Sequence, residues 1–381
     1  MLTPKAIRAL EMAKQPPSSE MVADFLAGHS FPIVENERTT FVFHGRAESV
    51  RLVHRIFGLE STKDFARIGS SDLWYLTLEL PDRSRIEYKF EVEDSGERKL
   101  IQDPLNPQRA HDPFGSNSVL QTTGYEVPEW TQPDPRARVG TLDEMSIASA
   151  AFESDRRVTV YLPARFRRRR TYPLLIVHDG GDFLNYAGLK TVLDNLMHRL
   201  EIPSMIVALT HPVDRLVEYA DNEAHARFLV KELIPRLSDD LPIIDAPSSR
   251  GLMGASFGAV ASLAASWRYP HYFGRLLLLS GSFAFTDIGN HSRSPVFDPV
   301  VGFVNSFRKR PLRVSDRVYM ACGVFESLIY ENRSLVPVLQ AAGMGVRFRE
   351  ARDGHNWECW RDQLREGLSW LFPGPLWEVY E

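Results

Sequence analysis

Short, wholly apolar segments alternate with segments of helical spacing in the second half of the sequence. The apolar segments include YPLLIVHDGG, MIVALT, RLLLLSGS and RVYMACG, and the helical patterns include LKTVLDNLMHRL and NEAHARFLVKELIPRL. A strand that is apolar at every residue must be covered on both faces, and strands that alternate with helices form a parallel sheet. The sequence therefore predicts an α/β fold with a mostly parallel central sheet over residues 141–381.

The segment 39–124 has a different pattern. Apolar and polar residues alternate in runs such as TTFVFHG, LWYLTLELP and RIEYKFEVED, which Gly, Pro, Asp and Ser separate. Such alternation is typical of antiparallel strands in a small β-sandwich. We predict an all-β domain over 39–124, a helical or extended segment over 1–38, and a proline-rich linker over 125–140.

Composition argues against several classes of protein. The 381 residues carry 45 basic and 49 acidic side chains, so a net charge of −4 argues against a nucleic-acid partner. Cys322 and Cys359 are too few for a disulfide framework. The N-terminus is charged throughout and no stretch has the roughly 18 apolar residues of a membrane span. We expect a cytoplasmic protein without a membrane partner.

The run RFRRRR at residues 165–170 is the densest cluster of charge in the sequence and precedes a strand. We interpret it as a solvated loop. A rim that attracts anions is the alternative.

One serine stands between two glycines in the stretch RGLMGASFGAVASLAASW, at residues 250–267. A G-x-S-x-G pattern that ends an apolar strand and opens a helix is typical of a nucleophile elbow. Gly254 and Gly258 suit a turn too tight for side chains, and Ser256 would be exposed above the sheet. Ser256 is therefore the candidate nucleophile, and a plain structural turn is the alternative.

A serine hydroxyl needs a base, and the base needs an orienting carboxylate. His355, in EARDGHNWECW, follows a strand and precedes the last helix, where the base of this fold lies. Glu326, in GVFESLIYENR, lies at the end of the preceding strand and is the candidate acid. Asp353 remains open as the acid, although it is only two residues from the base. The alternative for His355 is a histidine in a surface loop, and the alternative for Glu326 is a glutamate that starts a helix.

A tetrahedral intermediate needs two hydrogen-bond donors for its oxyanion. The backbone N–H of Phe257 is the first candidate, and that of Gly181, in the turn IVHDGGDF, is the second. Gly180 would allow a close approach there, while His178 and Asp179 would shape the loop. No His, Cys, Asp or Glu cluster has ligand spacing, so we predict neither a metal nor another cofactor.

Several pieces of the sequence resemble a known family in order and spacing. The pieces HDGGDF, DRLVEY, FLVKELIPRL, GASFG, GVFESLIYENR and DGHNWECWR are similar to those of the enterochelin esterases of the esterase D superfamily. LWYLTLELPDRSRIEYKF and QDPLNP resemble the early-set immunoglobulin-like domain of that family. The resemblance extends from about residue 39 to residue 371.

This resemblance implies an α/β-hydrolase domain preceded by an immunoglobulin-like sandwich. It implies a cytoplasmic serine esterase that cuts the ester backbone of a catecholate siderophore, with an iron-loaded siderophore as its small-molecule partner. It assigns the nucleophile to Ser256, the base to His355 and the acid to Glu326. It also marks Arg215 and Glu218 of DRLVEY as a pair that shapes the substrate pocket.

Two other functions remain open from the sequence. One is a carboxylesterase for acylated carbohydrates or hydroxycinnamoyl esters, although many of these enzymes are secreted. The other is an inactive hydrolase-fold protein whose sandwich binds glycans, for example through Trp74 and Tyr75. The presence of both Ser256 and His355 argues against the second. The oligomeric state stays open.

Overall fold

The computed structural model describes residues 5–12, 17–286 and 292–375. These residues belong to two compact units. The first unit comprises Met1–Val127 together with two short segments from late in the chain, Val324–Glu326 and Ala351–Asn356. The second unit comprises Pro128–Gly323, Ser327–Glu350 and Trp357–Glu381.

The first unit is built from antiparallel strands. Its helices are α1 (Lys5–Glu11) and α2 (Ser19–Ala27), and its strands are β1 (Ile33–Glu35), β2 (Arg38–His44), β3 (Ser49–His54), β4 (Thr62–Asp64), β5 (Ala66–Arg67), β6 (Leu73–Glu79), β7 (Arg85–Asp94), β8 (Glu97–Ile101), β9 (Arg109–Asp112) and β10 (Gly115–Gln121). One sheet has the order β1-β2-β6-β5, and the other has the order β4-β3-β7-β10-β9 with β8 paired to β7.

The two sheets pack through the buried side chains that alternate with more exposed ones along their strands. In β3, for example, buried and half-buried residues alternate along the strand. Phe41 and Trp74 of one sheet and Leu52, Phe90 and Leu120 of the other belong to a single buried cluster. The inward faces of both sheets thus form one core, as in a β-sandwich. This confirms the predicted all-β N-terminal domain, and the short strand β1 extends it upstream of residue 39.

The second unit alternates strands and helices. Its strands are β11 (Thr141–Ser149), β12 (Ser154–Leu162), β13 (Leu174–Val177), β14 (Ile206–Thr210), β15 (Arg250–Ala255), β16 (Arg275–Leu279), β17 (Arg317–Gly323) and β18 (Gly345–Ala351, whose last residue belongs to the first unit). Its helices are α3 (Gly180–Tyr186), α4 (Leu189–His198), α5 (Arg215–Glu218), α6 (Glu223–Phe228), α7 (Ile234–Asp240), α8 (Phe257–Arg268), α9 (Asp298–Lys309), α10 (Ile329–Ala341), α11 (Trp357–Asp362) and α12 (Leu364–Leu371). Short 3₁₀ turns lie at Glu129–Thr131, Pro247–Ser249 and Pro295–Phe297.

The strands of the second unit form one sheet in the order β11-β12-β14-β13-β15-β16-β17-β18. The strands β14, β13, β15, β16 and β17 are parallel, whereas β11 and β12 are antiparallel to their neighbours. Every residue of β13, β14 and β15 is buried, because helices cover both faces of a parallel sheet. This confirms the predicted α/β fold with a mostly parallel central sheet.

The predicted amphipathic helix NEAHARFLVKELIPRL is not regular along its whole length. It consists of α6 and α7, which a π-helical turn at Leu229–Leu233 joins. Pro235 lies in the first turn of α7. Because proline has no N–H and its ring collides with the carbonyl four residues earlier, the turn before it widens.

The predicted linker 125–140 is divided between the two units. The part from Pro128 onward belongs to the second unit, where Trp130 is buried and its carbonyl accepts a 2.8 Å hydrogen bond from the Asn195 amide. Within the described ranges, every helix falls short of the length and apolar character that crossing a bilayer requires.

Candidate active site

Ser256 lies at a sharp turn between the buried strand β15 and helix α8. Its backbone has φ 57° and ψ −120°, a conformation that L-residues rarely adopt, and the residue is half-buried. Strain of this kind persists only where the surrounding structure enforces it, and it is concentrated at functional sites. Strand, turn and helix together are those of a nucleophile elbow.

The two glycines of the motif have different neighbours. A Cβ atom at Gly254 would lie 2.3 Å from the carbonyl carbon and oxygen of Gly258, so no side chain fits there. A Cβ atom at Gly258 would lie 3.1 Å from Cβ of His178, a tight contact that a small shift could relieve. The turn thus requires glycine strictly at Gly254.

A second serine lies beside the candidate nucleophile. Ser282 Oγ is 3.1 Å from Ser256 Oγ, and the Ser282 N–H donates to the Ser256 carbonyl at 3.2 Å. Ser282 follows β16 in the segment SGS. Sequence reasoning did not single it out, although small polar residues at the carboxyl end of a parallel strand are a usable signal.

His355 and Glu326 lie together in the first unit. His355 Nδ1 is 2.6 Å from Glu326 Oε2, and the Glu326 side chain is 1% exposed while that of His355 is 34% exposed. The Nδ1–H donates to the carboxylate, which fixes the tautomer in which Nε2 carries the lone pair, and Nε2 is the nitrogen that acts as the base in a catalytic triad. The structure thus brings the candidate acid and base together, whereas Ser256 belongs to the second unit.

Asp353 has other partners. Its Oδ1 accepts hydrogen bonds of 2.7 Å from the Gly354 N–H and from the Asn356 amide, and it lies 3.5 Å from the Arg85 guanidinium. Burial raises the pKa of this carboxyl from 3.8 to about 7, although Arg85 opposes the rise. The hydrogen bond from His355 goes to Glu326, whereas Asp353 bonds to the residues on either side of His355 in its own loop.

The raised pKa of Asp353 predicts a pH-dependent stability. The folded protein holds this proton more tightly than the unfolded chain, so the free energy of unfolding falls as pH rises from about 4 to about 7. Asp353→Asn removes that contribution. We therefore expect the stability of the variant relative to wild type to increase from about pH 5 to pH 8, measured by urea unfolding. Curves that stay parallel across this range would contradict the assignment.

The candidate oxyanion donors lie on two helix starts. Phe257 is the first residue of α8, and Gly181 is the second residue of α3, in the turn that follows β13. A Cβ atom at Gly180 would lie 2.3 Å from Cβ of Leu209, so this turn approaches β14 as closely as glycine allows. A Cβ atom at Gly181 would meet the ring of His211 at 3.1 Å.

Arg215 forms a fork-shaped ion pair below this turn. Its Nε and Nη2 donate to the two carboxylate oxygens of Asp179, each at 2.8 Å, and Nη2 lies 3.3 Å from the Ala255 carbonyl. Burial raises the pKa of Asp179, and the guanidinium of Arg215 opposes that rise. The pair therefore connects the turn after β13 to the residue just before Ser256.

Glu218 is buried and does not pair with Arg215. Its carboxylate accepts a 2.5 Å hydrogen bond from Arg156 and bonds of 2.9 and 3.1 Å from the N–H groups of Val213 and Asp214. These bonds fix the loop that leads into α5. Nothing in the sequence pointed to Arg156 as its partner.

His178 forms a buried pair with His225. Its Nδ1–H donates to the Met253 carbonyl at 3.0 Å, so its Nε2 accepts from His225 Nε2–H at 2.9 Å. Burial lowers the pKa of His178 to about 4, so the ring is neutral at pH 7. Such a ring braces the elbow from within the core.

In the part of the chain that the structure describes, no group of three or more His, Cys, Asp or Glu side chains could hold a metal ion. The arrangement as described supplies a strained serine, a histidine bonded to a buried carboxylate, and two helix starts that present backbone N–H groups. The serine and the helix starts belong to the second unit and the histidine and its carboxylate to the first, and each is a residue type that acyl transfer uses.

The chain matches the Esterase family over residues 149–371. It is 26% identical over 337 residues to the iron(III) enterobactin esterase of Escherichia coli O6:H1, which is 80% of this chain and 81% of that protein. The ferric enterobactin esterase of Salmonella typhimurium has the same fold, with a TM-score of 0.73 and 23% identity over 90% of this chain and 94% of that one. The enterobactin esterase of Shigella flexneri, solved in the presence of enterobactin, superposes with a TM-score of 0.71 and 23% identity over 90% of this chain and 94% of that one.

Proposed function

The chain belongs to the Esterase family and is a carboxylic ester hydrolase, and from that premise we propose that it cleaves the ester backbone of a catecholate siderophore with Ser256 as nucleophile. The observation that carries the chemistry is the strained conformation of Ser256 at the end of a central strand. The observation that favours the substrate is the similarity to iron(III) enterobactin esterases over both the β-rich and the α/β part of the chain.

In the proposed mechanism, Ser256 Oγ attacks the ester carbonyl while His355 Nε2 takes the hydroxyl proton. Glu326 accepts the hydrogen bond from Nδ1–H and stabilises the imidazolium that forms. The tetrahedral intermediate collapses when the imidazolium gives its proton to the leaving alkoxide, and an acyl-enzyme remains. Water activated by the neutral His355 then attacks the acyl-enzyme, releases the acid and restores Ser256.

The oxyanion of both intermediates would accept hydrogen bonds from the N–H groups of Phe257 and Gly181. Both lie at helix starts, where N–H groups lack partners within the helix and the helix dipole favours negative charge. Arg215 would shape the adjoining pocket. Because Asp179 and the Ala255 carbonyl already engage its guanidinium, its role is to hold the turn and the elbow in register. Glu218 would support the same pocket from behind, by fixing the loop before α5.

The substrate class is tested by mass spectrometry of hydrolysis products. A cyclic catecholate trilactone, with and without Fe(III), is incubated beside acetylated and feruloylated sugars, with Ser256→Ala as the control enzyme. We expect the highest kcat/KM for the trilactone and no products with the variant. A higher kcat/KM for either sugar ester would replace the siderophore assignment by the carboxylesterase alternative. The proposal places the enzyme in the cytoplasm, where iron released from a siderophore is used.

Hydrolysis is predicted to need no bound metal. The proposed triad generates its nucleophile by proton transfer to His355, without a metal-bound water. An iron-free ester is the right substrate for this test, because a chelator would strip iron from a ferric one. We expect kcat to stay within about twofold of its starting value after treatment with EDTA. Full inactivation that a divalent ion reverses would contradict this.

A further inference from the structure

We propose that Arg85, on β7 of the first unit, is a positioning residue that holds the loop Ala351–Asn356 and thereby sets the position of the His355 ring. The inference deepens the proposed function and rests on it. It gives the N-terminal β-domain a role in the chemistry that the sequence did not assign to it.

Arg85 contacts the loop at three points that surround His355. Its backbone N–H donates to the Arg352 carbonyl at 2.9 Å. Its Nη1 donates to Asn356 Oδ1 at 3.0 Å and lies 3.5 Å from Asp353 Oδ1. The Arg85 side chain is 3% exposed, so these contacts are shielded from water and are stronger than they would be at the surface.

The loop is also braced from within. Asp353 Oδ1 accepts from the Gly354 N–H and from the Asn356 amide, which ties together the residues on either side of the base. Glu87 Oε1 accepts from both terminal nitrogens of Arg85 at 3.1 Å and holds the guanidinium plane in place. Burying these charges costs desolvation energy that their ion pairs only partly recover. A gain in folding stability is therefore a weak explanation for the cluster, and a positioning role is a better one.

The segment that carries the acid is attached to the same unit. The Phe57 N–H donates to the Phe325 carbonyl at 2.8 Å, directly before Glu326. The Val324 N–H donates to the Ala351 carbonyl at 2.8 Å, and the Phe325 N–H donates to the Asp353 carbonyl at 3.2 Å. Acid and base therefore reach their 2.6 Å hydrogen bond on segments that the β-domain holds.

The test compares Arg85→Gln with Arg51→Gln. Arg51 forms an ion pair with Glu91 between β3 and β7 of the same sheet. Within the described ranges it has no hydrogen bond or ion pair with residues 324–326 or 351–356, so it is a matched control. Arg85→Gln should lower kcat by about 10- to 100-fold with little change in KM, because a small misplacement of a catalytic group costs rate rather than binding. The low-field NMR signal of the His355 Nδ1 proton should weaken in Arg85→Gln and stay unchanged in Arg51→Gln.

A folded Arg85→Gln with wild-type kcat and an unchanged proton signal would overturn the proposal. Should that variant fail to fold, Asn356→Ala provides the same test, because it removes the amide that bonds to both Arg85 and Asp353 and removes no charge. We expect about a tenfold loss of kcat there, and wild-type values would again overturn the proposal. Ser256→Ala, measured in parallel, separates the two hypotheses. If it retains activity, the proposed function fails, while the proton signal still decides whether Arg85 positions the ring.

A separate observation carries a second inference. The second unit contains a cavity of about 540 Å³ that five arginines line: Arg138, Arg165, Arg167, Arg169 and Arg170. None of its lining residues is acidic. Among the residues that the structure describes, none of these five guanidinium groups forms an ion pair with a carboxylate. Four of the five belong to the RFRRRR run.

A buried carboxylate that bonds to the cavity lining is already engaged by other groups. Asp194 accepts from the hydroxyl of the cavity-lining Tyr161 at 2.8 Å, but Lys190 at 2.8 Å and the Gly140 N–H at 2.7 Å already engage its carboxylate. His198 also lines the cavity, and its Nδ1 is shielded from solvent without a hydrogen-bond partner in the described ranges. All five arginines are exposed, and a concave surface lined by positive charge alone attracts anions.

We infer that this cavity binds a small molecule with more than one phosphate group. Guanidinium groups bind phosphate oxygens in pairs, and the volume lies within the range of small-molecule sites. Met197, Ile202 and Pro203 add apolar lining, which suits an organic group attached to the phosphates.

Calorimetric titration with sodium tripolyphosphate and with ATP tests this site. We expect micromolar affinity for at least one of them and at least about tenfold weaker binding by the double variant Arg167→Gln, Arg169→Gln. Arg227→Gln, which removes an exposed arginine of α6 outside the cavity, should bind like wild type. Tighter binding of ATP than of tripolyphosphate would indicate that the ligand is a nucleotide. Tighter binding of tripolyphosphate would indicate that the ligand is a polyphosphate without an organic group. Absence of binding by wild type at about 1 mM, or an equal loss in the control, would overturn the inference.

Discussion

Ser256→Ala is expected to reduce kcat by about 10⁴-fold or more while the fold and the thermal unfolding midpoint stay close to wild type. Ser256 is half-buried, and its Oγ lies within hydrogen-bond distance of Ser282 Oγ. Alanine therefore removes one hydroxyl and keeps the Cβ atom in place. Alanine would experience the same backbone strain at φ 57° as serine does. We therefore expect a large loss in kcat and almost no change in the free energy of unfolding.

The measurement is single-turnover and steady-state hydrolysis of the trilactone, with circular dichroism and a thermal melt to check the fold. A serine-directed organophosphorus reagent should inactivate wild type and add its mass to the peptide that contains Ser256. Ser282→Ala is the comparison variant, because it removes the hydroxyl 3.1 Å from Ser256 Oγ while every residue of the elbow itself is kept. Turnover by Ser256→Ala within about tenfold of wild type would exclude Ser256 as the nucleophile.

Glu326→Gln is expected to cost about 10³- to 10⁴-fold in kcat. The carboxylate accepts a 2.6 Å hydrogen bond from His355 Nδ1–H, whereas an amide can present its own N–H and favour the wrong tautomer. The Glu326 side chain is 1% exposed, so water cannot replace the missing acceptor.

Asp353→Asn is the comparison that identifies the acid. Its Oδ1 can still accept from the Gly354 N–H, so we expect a loss of about tenfold or less in kcat. A large loss in Asp353→Asn with a small one in Glu326→Gln would show that the acid is Asp353. Near-normal rates in both variants would indicate a Ser–His dyad whose base is held by backbone or water.

The second unit could be predicted well because burial on both faces of a sheet leaves a strong pattern in the sequence. β13 and β14 are apolar at nearly every residue, and turn residues bound them. Ser256 could be identified for a related reason. The close approach at Gly254 excludes every other residue, so sterics dictate the motif.

Other features depend on contacts that leave no local pattern. β1 is three residues long, too short for alternation to be visible. The partner of Glu218 is Arg156, 62 residues away, and an isolated arginine on an antiparallel strand gives no sign of its partner. The attachment of the His355 loop to Arg85 spans 271 residues between Arg85 and Asn356, so no spacing argument could reveal it.

The first unit is discontinuous in sequence, and this affects how a newly made chain matures. Residues 1–127 leave the ribosome long before residues 351–356 are added, so this unit stays incomplete until synthesis is almost over. Contacts between such distant residues also form slowly, because the entropy of closing a long loop is lost before the contact is gained. Folding of the individual sheets can thus precede completion of the base-bearing loop. A nascent or prematurely terminated chain is therefore expected to be inert towards esters, with activity gained only in the last step of maturation.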